Sequence, residues 1–168
     1  MKKIIIINGM GGSGKDTFIK YVAKYTKVIN FSSIDKVKEV ASYAGWQGKK
    51  TEKDRKFLSD LKKLMTDYND MPFKTMKKVV TEFNKKDNFS KILFLHIREP
   101  EEIKRAVTSF KAVTLLIRKP DVPIITSNYS DANVENYNYD YIIINTTLKE
   151  LDLEAKSFVQ QLKFDVKC

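Results

Sequence analysis

The sequence predicts an α/β fold, a five-stranded parallel sheet with helices on both faces, and three observations lead there. Short apolar runs without polar alternation recur along the chain, as strands buried on both faces require. Between them lie segments whose apolar residues repeat at helical spacing and which open with helix-start signals. No repeat, low-complexity tract or Pro/Gly/Ser-rich linker divides the 168 residues, so a single domain spanning 1–168 is expected.

The first run, Ile4–Asn8, reads as a buried strand, since its apolar part ends at Ile7 and is too short for a signal peptide despite Lys2 and Lys3 before it. Phe18, Ile19, Val22 and Ala23 then repeat at helical spacing, and Val28–Phe31 reads as the second strand. A long, mainly helical stretch follows, expected as an insertion at about 34–90. Within it Thr51 and Asp54 fit a capping box ahead of Phe57, Leu58, Leu61, Leu64, Met65 and Tyr68, one apolar stripe expected to face the core. Phe73, Met76, Val79, Val80 and Phe83 form another after Pro72. Ile92–Ile97 is the third expected strand. Pro100 suits a first helical position, and Glu101 and Glu102 favour the positive end of that helix dipole. Val113–Ile117 and Tyr141–Ile144 complete the sheet, and Leu151, Ala155, Phe158, Val159 and Leu162 mark the buried face of a last helix.

Composition narrows the classes of function. A membrane span needs about 18 consecutive apolar residues. No segment has them, so no membrane partner is expected. Cys168 is the only cysteine, which excludes an internal disulfide framework and a cysteine metal cluster, and a cytoplasmic location is expected by default. The net charge of +10 calls for an anionic partner, and from Lys36 to Lys91 there are 15 basic against 8 acidic residues. Phosphorylated small molecules or a nucleic-acid backbone would answer that charge, and so would a plain solvated lysine surface. The aromatic residues of this stretch fall on the helix stripes and are expected in the core, which ranks a base-stacking platform below core packing. Lysine outnumbers arginine 27 to 4, so Arg55, Arg98, Arg105 and Arg118 stand out, a guanidinium fork being better matched to phosphate than a point charge.

The chemistry is carried by Gly9-Met10-Gly11-Gly12-Ser13-Gly14-Lys15-Asp16-Thr17, placed directly after the first strand and opening onto a helix. That is the context of a P-loop. Its glycines let consecutive backbone N–H groups turn inward around phosphate oxygens, and the helix N-terminus adds positive potential. Lys15 would reach the β- and γ-phosphates of a nucleoside triphosphate, ATP first among them. The common pattern has Ser or Thr next, to ligate magnesium. Here Asp16 intervenes before Thr17, so Asp16 is expected to hold Mg²⁺ directly or through water, leaving the Thr17 hydroxyl for a phosphate.

Glycine-lysine-aspartate-threonine resembles the loop of the P-loop kinases in the nucleoside monophosphate kinase superfamily, especially phage-type deoxynucleoside monophosphate kinases and animal-type phosphomevalonate kinases. Phe31 to Lys38, reading FSSIDKVK, is similar to the segment that opens the acceptor-binding region of that family. Ile97-Arg98-Glu99-Pro100-Glu101-Glu102 resembles the stretch that ends its third strand. Arg118-Lys119-Pro120 looks like the start of a mobile lid, expected at about 118–136, and Asp140 to Asn145 resembles the last strand and its adenine-contacting turn. The resemblance implies a three-layer P-loop NTPase fold with a helical acceptor-binding insertion, and ATP with Mg²⁺ at Gly9, Gly11, Gly12, Ser13, Gly14, Lys15, Asp16, Thr17 and Asn145. It implies a small phosphorylated acceptor, such as a (deoxy)nucleoside monophosphate, facing Asp35, Lys38, Arg55 and Arg98. Lys15, Arg98 and Arg118 would be the catalytic cations, with Arg118 closing over the transferring phosphoryl group or over adenine.

One departure stands out. Two positions before the arginine, where that family has an acidic residue, this chain has His96, its sole histidine. A neutral imidazole cannot replace the charge of a carboxylate holding a magnesium-bound water. A structural or magnesium-peripheral histidine is preferred here to a general base, because positioning dominates phosphoryl transfer. A competing expectation is a noncatalytic or regulatory nucleotide-binding module that reaches nucleic acid through its basic face. His96 favours it, and the lid-like Arg118 favours the kinase.

Overall fold

The computed structural model describes residues 1–122 and 133–164. Within them the order is β1 (Lys3–Asn8), α1 (Lys15–Tyr25), β2 (Val28–Ser32), α2 (Asp35–Tyr43), α3 (Glu52–Asn69), α4 (Met71–Asn84), β3 (Ile92–His96), α5 (Pro100–Phe110), β4 (Val113–Arg118), β5 (Tyr141–Ile144) and α6 (Leu148–Phe164). Of the expected lid, residues 123–132 lie outside the described residues, as does Cys168.

The five strands pair in parallel in the order β2-β3-β1-β4-β5. Alternate residues of β1 feed two separate cores. Ile5 and Ile7 pack with Phe18, Ile19 and Val22 of α1 and with Leu151, Ala155 and Phe158 of α6. Ile4 and Ile6 pack on the other face with Met76, Val80 and Phe83 of α4 and with Ile103 and Ala106 of α5. This is the three-layer P-loop architecture, with α2, α3 and α4 inserted between β2 and β3. Because both faces are covered, β1 and β3 show buried runs where a one-sided sheet would alternate.

From β1 the chain leaves toward β2, and from β4 toward β5, so connections diverge above the middle of the sheet. Parallel sheets bind ligands at the carboxyl ends of strands at such a point. Each strand ends on a polar residue at this rim or just beyond it: Asn8, Ser32, His96, Arg118 and Asn145.

The expected burial of the α3 stripe is corrected by the structure. Leu58 is buried, but Leu64 is 66% and Tyr68 84% exposed, and the second fully inward position belongs to Lys62. The capping box of Thr51 and Asp54 does form. The physical reason is that α3 packs chiefly on α2 and α4, so its neighbours cover only a narrow strip of it. Nor do the aromatics of the basic stretch all enter the core. Phe83 does and Phe73 partly does, whereas Tyr43 and Phe89 join Tyr68 in solvent.

Candidate functional site

The loop between β1 and α1 is shaped by close backbone approach. Gly9 and Gly14 hold φ of 149° and 97°, where an L side chain is strained by about 1–2 kcal/mol. A Cβ on Gly9 would strike the Ile117 carbonyl oxygen and Ser13 Oγ, and a Cβ on Gly14 would strike Asn145 Nδ2. Gly12 also has positive φ, at 82°, but faces open space. The Ser13 N–H donates to the Met10 carbonyl at 3.1 Å, closing a turn within the loop.

The loop is braced from three sides. Asn8 Oδ1 accepts the Gly9 N–H at 2.8 Å, while Asn8 Nδ2 donates to Tyr139 Oη at 2.7 Å and to the Arg98 carbonyl at 3.1 Å. Tyr139 Oη donates onward to the Val134 carbonyl, and burial pushes its phenol up to about 12, so it stays a donor. Beneath the loop Asn145 Nδ2 donates to the Ser13 carbonyl at 2.9 Å, and the Asn145 N–H to the Arg118 carbonyl at 2.7 Å. Lys15 Nζ donates to the carbonyls of Gly9 and Met10 at 2.6 and 2.8 Å, so its ammonium lies across the loop at the mouth of α1.

Two features of this cradle suit phosphate. The first-turn N–H groups of α1 lie beyond the reach of intrahelical carbonyls and concentrate positive potential. Ser13 is 1% exposed, and among the described residues its Oγ is the buried side-chain polar atom that finds no partner. An orphaned buried hydroxyl costs about 1–3 kcal/mol. A phosphate oxygen accepting from it would recover that cost, so the residues present fit the triphosphate that the motif implies.

Around the loop stand the other expected residues. The Asp16 carboxylate is 82% exposed, and its Oδ1 lies 3.9 Å from His96 Nε2. His96 Nε2 is 2.7 Å from Asn30 Oδ1, which places the proton of the neutral ring on Nε2. Burial, opposed by Asp16 and aided by the Lys15 ammonium, pushes His96 down to about 4. It is therefore neutral at physiological pH and a weak base. Among the described residues no group of three His, Cys, Asp or Glu side chains could hold a metal. The exposed Asp16 carboxylate beside the loop is a hard oxygen donor of the kind Mg²⁺ takes together with phosphate oxygens and water.

The acceptor-side candidates are less tightly drawn together. Asp35 accepts the Ser32 N–H at 3.0 Å and lies 4.0 Å from Lys38 Nζ, so both sit at the start of α2 beside the end of β2. Arg55, in the first turn of α3, donates from Nε to the Lys50 carbonyl at 3.2 Å. Arg98 follows β3, its carbonyl held by Asn8 and hence by the loop. Arg118, at the end of β4, forms a bidentate pair with Glu135, its Nε at 3.1 Å and Nη2 at 2.5 Å from the two carboxylate oxygens. Contact with a phosphoryl group would require it to exchange that partner.

Asn8, Tyr139 and Lys62 go unnoticed in the sequence. Asn8 is only the polar end of an apolar run, and a signal for it exists in that position alone. Nothing local marks Lys62, whose partners Glu99 and Glu102 come from a distant helix and the turn before it.

No protein-family model matches the chain, and no curated protein matches it in sequence. In structure it is similar to a sugar kinase from Janibacter sp. HTCC2649, at 14% identity over 95% of each chain with a TM-score of 0.51. It is also similar to TT1252 from Thermus thermophilus, at 15% identity over 99% of each chain with a TM-score of 0.49. At these identities the likeness to the sugar kinase speaks for architecture alone, and that architecture is a kinase-like α/β fold.

Proposed function

We propose that this chain is an ATP-dependent phosphotransferase that moves the γ-phosphoryl group to a small phosphorylated acceptor, with (deoxy)nucleoside monophosphates as the first candidates. The observation that carries the reading is the loop itself. Gly9 and Gly14 sit where a side chain would collide, Lys15 lies across the loop, and the buried Ser13 hydroxyl lacks a partner. The kinase-like fold agrees with it.

In this reading the loop amides and Lys15 hold the β- and γ-phosphates, while Asn145 forms the floor of the cradle as an amide donor. Directly or through water, Asp16 would hold Mg²⁺, which when bound neutralises charge on the phosphates, and the Thr17 hydroxyl would donate to a phosphate oxygen. Lys38, Arg55 and Arg98 would face the acceptor anion, with Asp35 orienting Lys38. An acceptor oxygen then bonds to the γ-phosphorus as its bond to the ADP oxygen breaks. Such a transfer asks the protein mostly for alignment and charge neutralisation. The neutral, hydrogen-bonded His96 fits a positioning role better than that of a general base.

A second reading has its own support. His96 brings no negative charge to the metal side, and Tyr43 and Tyr68 are exposed among the lysines of α2 and α3, as a nucleic-acid surface would have them. ADP release measured across nucleoside monophosphates and other phosphate monoesters decides between the two. The phosphotransferase reading expects one acceptor to stimulate release well above the water-driven background, with Arg98→Ala raising the KM for that acceptor about tenfold or more. No stimulation by any acceptor, together with submicromolar oligonucleotide binding that persists at about 200 mM salt, would favour the second reading.

A further inference from the structure

Lys62 is 9% exposed on a helix whose neighbouring lysines, Lys56 and Lys63, stand in water. Its Nζ lies 2.7 Å from both Glu99 Oε2 and Glu102 Oε2. Burial disfavours its charge, but the two carboxylates outweigh burial and hold the ammonium above its ordinary range. Glu99 is the N-cap residue of α5 and Glu102 its third helical position. A glutamate at the third helical position ordinarily reaches back to the N-cap amide. Here α5 has no side-chain cap, because both groups turn toward α3.

The turn so held is the one that follows Arg98. The Arg98 carbonyl accepts from Asn8 Nδ2, and Asn8 Oδ1 accepts the Gly9 N–H at the start of the P-loop. A continuous path of polar contacts and backbone therefore runs from α3 through Lys62, Glu99 and Arg98 to the loop. On the same side Arg105 of α5 grips Asp70, at the junction of α3 and α4, through two bonds of 2.9 and 2.5 Å.

We propose that Lys62 is a positioning residue for the acceptor half of the site: it docks α3 on the turn that carries Arg98 and so sets where Arg98 stands relative to the P-loop. The inference rests on the phosphotransferase reading. It predicts that loss of Lys62 harms acceptor use selectively, since the loop keeps its own braces at Asn8 and Asn145.

The test uses the full chain with Mg·ATP and a panel of nucleoside monophosphates, reading ADP release for kcat and KM, and calorimetry for Mg·ATP alone. Lys62→Met should raise the KM for the best acceptor about tenfold or more, with the Kd for Mg·ATP within about twofold of the parent's. Lys62→Arg should recover most of the loss, because it restores the cation between the two carboxylates. Where Lys62→Met fails to fold, Glu99→Gln should give the same split. Equal losses in acceptor KM and Mg·ATP affinity, or no loss in either, would overturn the inference. A parent that releases no ADP with any monophosphate would overturn the phosphotransferase reading and this inference with it, and that failure shows in the parent alone.

Discussion

His96 sits at the end of β3 with its ring largely out of water, and burial holds it at about 4 against an ordinary 6.5. A histidine whose folded value is depressed stabilises the fold fully above its unfolded value and loses that stability as pH falls from 6.5 toward 4. The shift corresponds to a loss on the order of 3 kcal/mol. Replacing His96 with Gln should remove this acid-side loss, as measured by urea denaturation from about pH 7 to pH 4. An unchanged slope would show that the ring is not held neutral. The residue is visible in the sequence as the sole histidine in an acid's place. Its protonation state is not, because that depends on packing by Asn30 and the P-loop, 66 and more positions away.

At the scale of elements, α3 shows where periodicity misleads. Its apolar positions repeat well enough to predict a helix, and the helix is there, but repetition cannot say which neighbours exist to cover the stripe. Leu58→Ala should cost about 2 kcal/mol or more in chemical denaturation, whereas Leu64→Lys should change stability by about 0.5 kcal/mol or less. Comparable costs at the two positions would contradict the orientation of α3. Its inward Lys62 also shapes the titration of α5. Burial, with Lys62 opposing and the charge of Glu99 adding, raises Glu102 above the ordinary carboxyl range. A carboxyl with a raised folded value stabilises below its unfolded value and loses that contribution as pH rises above 4.5. Glu102→Gln should therefore flatten a decline on that side, opposite in sign to the His96 effect. An unchanged or steeper decline in the variant would reject a raised Glu102.

For the molecule as a whole, strand positions and the phosphate loop are legible because both are local: buried runs in β1 and β3, and glycines in a fixed order before Lys15. The strand order is not, since it arises from which helices cover which face. The acceptor side is legible only as scattered cations, and the contacts that join it to the loop, Lys62 to Glu99 and Asn8 to Arg98, span 37 and 90 positions. The proposed activity depends above all on triphosphate binding at Gly9–Thr17, which calorimetry of Mg·ATP with the parent and with Lys15→Ala tests directly. The parent should bind, and the folded Lys15→Ala chain should bind about tenfold more weakly or worse. Equal affinity in the two, or no binding by the parent, would contradict it.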